Sequence, residues 1–251
     1  MKKYFLGFWA IMVVLSFSSG AGAIAIGSFI TIDDQIGSSQ VYYGGSIKPG
    51  ATSYDDVIGI PNFSVDSLKA SLIENGTKIQ VVLQGDYFGT DYAKETSPWG
   101  HIGDLYISSR GWKVDSPADN ARFDTFKQSE GWDYVVSKAT GTTGKIYALN
   151  FGSITPSGNE GHWSGYRTDQ AYTGGYGDEK GSATWELDST NKTLTIKFDS
   201  LGMDPSAIGY HWTMACGNDV VEGGGTPVPE PGTLVLLGLG FLGLVVSRLK
   251  K

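Results

Sequence analysis

Three histidines, one cysteine and a scatter of carboxylates are the side chains of this sequence that could do acid–base or covalent chemistry. His101 stands three residues before Asp104, His162 two after Glu160, and His211 five before Cys216. Neither acid–histidine pair has the His-Glu-x-x-His spacing that sets two imidazoles on one helix face around zinc. No Gly-x-Ser-x-Gly segment offers a nucleophile elbow. Cys216 and His211 lie on or beside one strand, next to Trp212 and Met214, so the lone thiol reads as a buried structural group rather than a nucleophile. Glycoside hydrolysis needs two carboxyls roughly 5–10 Å apart, a separation that a sequence does not display. No catalytic residue is therefore assigned, and the chain is not read as an enzyme.

Binding chemistry has more to work with. Calcium takes six to eight oxygens from acidic loops, and Asp33-Asp34, Asp55-Asp56 and Asp115 with Asp119 and Asn120 are candidate ligands. Gly174-Gly175-Tyr176-Gly177-Asp178 is one residue short of a Gly-Gly-x-Gly-x-Asp calcium repeat and occurs once, whereas such repeats work stacked. Solvated loops are the favoured reading, and no metal or other cofactor is expected. Trp99, Trp112 and Trp163, with Tyr172 and Tyr176, sit in polar, Gly-rich surroundings where aromatic faces could stack on sugar rings. The same residues would equally well plug the ends of a β fold.

Whatever these side chains do, the elements that carry them are strands. The 251 residues include 36 Gly and 9 Pro, with 40% hydrophobic and 12% aromatic residues. That is enough apolar surface for a core and too many helix breakers for a long-helix protein. Thr193–Phe198 alternates strictly, placing Leu194, Ile196 and Phe198 on one face. Ala183–Leu187 reads as the other arm of a hairpin closed by Asp188–Lys192. Further strands are expected at 78–84, 103–108, 132–136, 144–149 and 208–214. Val65–Ile73 is either a short helix or a bent strand, and Asp115–Ser129 an exposed loop. Strands spaced by long Gly-, Ser- and Asp-rich loops predict an all-β, antiparallel β-sandwich of jelly-roll type.

The ends are unlike the middle. Lys2 and Lys3 precede an uncharged run from Tyr4 to Phe17 and then small residues ending in Ala21-Gly22-Ala23, the three-part form of a secretory signal peptide, with cleavage after Ala23 the first choice and after Ala25 the alternative, since Ala23-Ile24-Ala25 also fits. Pro231 to Ser247 is a second uncharged stretch, closed by Arg248, Lys250 and Lys251. Its length, about 25 Å as a helix, is at the lower limit for a membrane span, and the cations would hold its end on the cytoplasmic side. The expected organisation is a signal peptide at 1–23, an ectodomain at 24–225 and a C-terminal segment at 226–251 with a transmembrane helix at about 232–247. Net charge is −7 overall. With Lys2, Lys3, Arg248, Lys250, Lys251 and Glu230 set aside, 14 of the 19 basic and 25 of the 26 acidic groups remain, a balance of −11. Such a domain is a poor partner for nucleic acid, whose phosphates call for clustered Lys and Arg.

Pro229-Glu230-Pro231, then the Gly- and Leu-rich stretch, then the basic terminus, resembles the PEP-CTERM sorting signal. That resemblance covers Val228 to Lys251. It implies processing near the Pro-Glu-Pro motif by exosortase, a membrane-embedded cysteine transpeptidase, after export by the translocon and signal peptidase. It further implies an inner-membrane precursor, a Gram-negative bacterium making exopolysaccharide, and a cell-surface or matrix destination. Segments such as Gly103–Ile107, Trp132–Tyr134 and Tyr210–Asp219 resemble ectodomains of other PEP-CTERM proteins, a likeness that carries no activity. Pro227, Pro229 and Pro231 suit the role, since they hold the backbone extended and open to a processing enzyme. The ectodomain is expected to be structural or binding, with exopolysaccharide the candidate ligand.

Overall fold

A computed structural model describes residues 29–33, 61–94, 102–113, 126, 128–137, 141–156, 172–215, 217 and 219–225. The signal-peptide and tail assignments lie outside these residues. Among the described residues there are ten strands: β1 (Phe29–Asp33), β2 (Ser67–Ile73), β3 (Lys78–Gln84), β4 (Ile102–Ser108), β5 (Tyr134–Val136), β6 (Thr143–Pro156), β7 (Tyr172–Asp188), β8 (Thr193–Asp199), β9 (Gly209–Met214) and β10 (Val220–Gly224). The only helical elements among the described residues are short 3-10 turns. None is long and apolar enough to cross a membrane.

All ten strands belong to one antiparallel sheet, in the order β1-β2-β3-β8-β7-β6-β5-β4-β9-β10. The all-β antiparallel expectation holds. In place of the two packed sheets of a jelly roll, one continuous sheet curls until its edges meet. An added Cβ on Gly223 of β10 would lie 3.0 Å from Ile32 of β1. Closing a sheet removes the exposed edges that invite aggregation. Near the seam, the Val65 N–H donates to buried Asp219 Oδ2 at 2.6 Å, tying the approach to β2 to the approach to β10.

The interior follows from alternation. Ile79, Val81 and Leu83 on β3 pair in register with Phe198, Ile196 and Leu194 on β8, all fully buried. Leu68 and Ala70 of β2 continue the layer, which makes 67–73 a strand and removes the helix alternative. Across the barrel stand Leu105, Ile107, Tyr210, Trp212 and Val221. One end is plugged by the 3-10 turn Asp86–Gly89, whose Tyr87 and Phe88 rings lie 6.3 and 5.6 Å from Trp212. Each such side chain stabilises the fold by roughly 1.5–3 kcal/mol through removal from water.

A second apolar layer covers part of the outside. The β6–β7 hairpin is longer than its neighbours, and its register shifts at Ile146/Tyr147, Tyr147/Leu149 and Leu149/Ile154. Such shifts bend strands. Here they bring Leu149, Phe151 and Ile154 against Tyr106, Phe126, Trp132 and Val135. Phe126, which the sequence places in an exposed loop, is buried in this layer.

Candidate functional site

The outer layer seals a set of polar groups. On β9 the side chains of Tyr210, Trp212 and Met214 point into the barrel, so His211 and Thr213 point out. His211 faces Glu222 on β10 in direct register, with Nδ1 2.6 Å from Oε2. The indole N–H of Trp112 donates to the other carboxylate oxygen, Oε1, at 2.8 Å. Phe126, Trp132 and Tyr106 surround the imidazole with centroids 4.6, 5.7 and 6.1 Å away. Trp132 in turn donates its indole N–H to buried Glu130 Oε2 at 2.8 Å. His211 and Glu222 are 0% and 1% exposed, so the pair is closed to a substrate. What it does chemically is to lock β10 to β9 and Trp112 to β10. The sequence pattern offers His211 only as a base for Cys216 and gives Glu222 no role, because no alternation marks Val220-Val221-Glu222-Gly223-Gly224 as a strand. The available signal was that Glu222 falls opposite His211 once β10 is paired.

A second polar centre lies on the same outer surface. After the bulge between Ile102 and Leu105 on β4, Asp104 shares the outward face with Tyr106 and is buried. Its Oδ2 accepts from the Tyr176 hydroxyl at 2.7 Å and from Thr173 Oγ1 and the Gly174 N–H at 3.2 Å each. Partial burial and then the Asp104 charge hold the Tyr176 phenol well above the usual tyrosine range. The Tyr176 ring is 45% exposed and lies 5.1 Å from that of Tyr147. The Gly174–Asp178 run is thus a bent piece of β7 wrapped on a carboxylate. Its Asp178 lies 3.5 Å from Lys180 Nζ. Among the described residues no three His, Cys, Asp or Glu side chains gather closely enough to hold a metal ion.

Of the three tryptophans considered for sugar stacking, only Trp112 is described. It is half-buried, its indole N–H is bonded to Glu222, and its backbone N–H donates to Gly225 O at 2.9 Å. Trp99, Trp163, His101, His162, Cys216 and the signal-cleavage residues Ala21 and Ala23 lie outside the described residues. So do the acidic-loop candidates apart from exposed Asp33. The Gly225 N–H donates to Ile208 O at 3.1 Å, so the fold holds the chain up to Gly225. Pro229, Glu230 and Pro231 come four to six residues later, with Arg248, Lys250 and Lys251 beyond; all are outside the described residues.

No curated protein and no solved structure matches the chain, so the barrel brings no function with it from a relative. The tail does. Residues 227–251, beginning two residues after the last bond of the barrel, match the PEP-CTERM protein-sorting motif, the signal of an exported protein directed to exosortase and the cell surface.

Proposed function

We propose that this chain is made as a membrane-held precursor and is cut by exosortase near Pro229-Glu230-Pro231. The barrel then goes to the cell surface or extracellular matrix as a structural or binding domain. The observation that carries this reading is the match of residues 227–251, which begins two residues after Gly225, the last described residue of the barrel. A short extended spacer puts the motif within reach of a membrane enzyme while leaving the barrel folded. Residues 1–23 act as the signal peptide, and 232–247 hold the precursor in the inner membrane. We assign the barrel no catalytic role and no cofactor. Its histidine–glutamate pair is sealed beneath aromatic rings, which supports a structural use of those groups. Replacing Pro229, Glu230 and Pro231 together by Ala should leave export intact and abolish C-terminal processing. An unchanged mature mass would overturn the reading and leave a plain membrane anchor.

A second reading gives the barrel a ligand, the exopolysaccharide of the surrounding matrix. It is favoured by the exposed Tyr176 ring beside Tyr147, fixed from below by its bond to buried Asp104. A preoriented aromatic face bordered by polar groups is what a sugar ring stacks on. Trp99 and Trp163 remain the sequence's candidates for the same role, whereas Trp112 is committed to Glu222.

A further inference from the structure

We infer that the end of the barrel where the chain enters β1 and leaves β10 is the lipid-facing end of the precursor, with Phe29 and Leu201 as its apolar contacts. The inference rests on the proposed membrane-held precursor. Strand direction establishes the geometry. Every neighbouring pair in the sheet is antiparallel and β1 and β10 meet at the seam, so the nine reversals between them send them in opposite directions. The start of β1, at Phe29, and the finish of β10, at Gly224, therefore lie at one end. The turn Glu74–Gly76, the β8–β9 connection at 200–208 and Trp112 lie at that end too. The plug of Tyr87 and Phe88 and the β7–β8 turn lie at the other.

The tether limits how far this end can stand from the bilayer. Gly225 is held on both sides, through Ile208 and Trp112. Only Thr226 to Pro231 separate it from the proposed transmembrane helix at about 232–247. Six residues at about 3.1 Å each in extended, Pro-rich form reach about 19 Å. The surface agrees. Three large hydrophobic side chains are exposed among the described residues, and two of them, Phe29 at 61% and Leu201 at 41%, are at the exit end. Lys69 Nζ lies 5.5 Å from the Phe29 ring centroid, a cation above an apolar group as at a headgroup boundary. Among the described residues, Asp33, Asp66, Asp86, Asp91 and Asp188 at the far rim stand with Lys94 and Lys192. At the exit rim Lys78, Arg110 and Lys113 offset Glu74, Asp133, Asp199 and Asp204. Among the described residues, the acidic excess is thus larger at the far rim than at the exit rim.

The test uses the full chain with Cys216→Ser, reconstituted into vesicles of phosphatidylethanolamine and phosphatidylglycerol that carry brominated acyl chains. Single reporter cysteines, Leu201→Cys, Phe29→Cys and Thr190→Cys at the far end, are labelled with a small fluorophore. Leu201 already occupies a left-handed backbone, φ 50°, so cysteine adds no new strain there. Flotation with the vesicles reports the anchor, and quenching reports the face. The expected result is flotation of every variant, with quenching at 201 and 29 roughly threefold or more above that at 190, as for groups at the acyl boundary. Flotation with equal or weaker quenching at 201 and 29 overturns the orientation and leaves the anchor standing. Shielding of 201 from aqueous iodide without lipid quenching assigns the face to a second copy and also overturns it. Failure to float overturns both the orientation and the membrane-held precursor.

Discussion

His211 on β9 and Glu222 on β10 stand opposite each other in the ladder, Nδ1 2.6 Å from Oε2, and neither side chain reaches solvent. The last strand before the sorting segment is thereby held by a polar lock rather than by apolar packing alone. Trp112 closes the lock twice, through its indole to Glu222 and through its backbone to Gly225.

Glu222→Ala removes the acceptor of two hydrogen bonds inside an apolar layer. Breaking a buried pair from one side costs about 3–5 kcal/mol, so chemical denaturation should show a loss of that order. Glu222→Gln should cost less, because it keeps an acceptor. In a double-mutant cycle with Trp112→Phe, the coupling should be about 1 kcal/mol, the net worth of one buried hydrogen bond. Additive losses would mean that the indole contact contributes nothing.

Tyr210 is fully buried with its hydroxyl on Pro205 O at 3.1 Å. Burial and then the Asp204 charge push its phenol well above the ordinary value, and Tyr176 is pushed the same way. A raised phenol means the folded state keeps a proton that the unfolded chain releases. Their contribution is complete below about pH 10, the unfolded tyrosine value, and is lost as pH rises toward the folded values. Denaturation midpoints should fall between about pH 10 and 12, and less steeply in Tyr210→Phe. That variant should cost about 1 kcal/mol at neutral pH for the missing hydrogen bond. An unchanged slope would place the alkaline sensitivity elsewhere.

Gly174 and Gly175 both have left-handed backbones, φ 88° and 76°. A Cβ on Gly175 would fall 2.5 Å from Leu149 Cδ1 and 2.6 Å from Ile154 Cγ2, whereas on Gly174 the nearest atom is Ser153 O at 3.3 Å. Gly174→Ala should cost about 1–2 kcal/mol from backbone strain. Gly175→Ala should add about 1–3 kcal/mol of crowding and make the β6–β7 hairpin more open to limited proteolysis. Equal losses at the two positions would show that crowding is relieved by small shifts.

How much of this was legible depended on whether a strand's face is written in its own residues. β3 and β8 are, because Ile79, Val81 and Leu83 and then Leu194, Ile196 and Phe198 alternate without interruption, and both strands lie where the alternation puts them. β10 is not, since a buried glutamate between Val221 and Gly223 makes sense only once His211 is known to face it. The lower arms of β6 and β7 are Gly-rich and bulged, and their partners lie across the sheet at Asp104 and Phe126. Local pattern carries no trace of contacts that distant. The same bending explains why a chain with sandwich-like spacing closes instead into one curled sheet with a hairpin laid over its outside. The sorting motif was legible because its signal is a linear order of residue types and needs no fold to be read.

Tyr176 separates sugar binding from a purely structural barrel. The Tyr176 ring offers an exposed face, and its hydroxyl is committed to Asp104. Tyr176→Phe should keep the face and lose one hydrogen bond to a carboxylate, so affinity for exopolysaccharide should change little while stability falls by about 1 kcal/mol. Tyr176→Ala removes the face, and affinity should drop by about 1–3 kcal/mol, roughly 5- to 150-fold. Trp112→Ala gives the contrast. Its ring is half-buried and its N–H is bonded to Glu222, so its loss should appear as destabilisation of about 2 kcal/mol or more. Pull-down of the mature protein on exopolysaccharide, with reducing-end release measured on the same samples, decides among the readings. Binding that survives Tyr176→Ala would move the sugar site to Trp99 or Trp163. Absence of binding in the unaltered protein would leave the structural role. Turnover abolished by replacing one carboxylate would make the barrel an enzyme and overturn both.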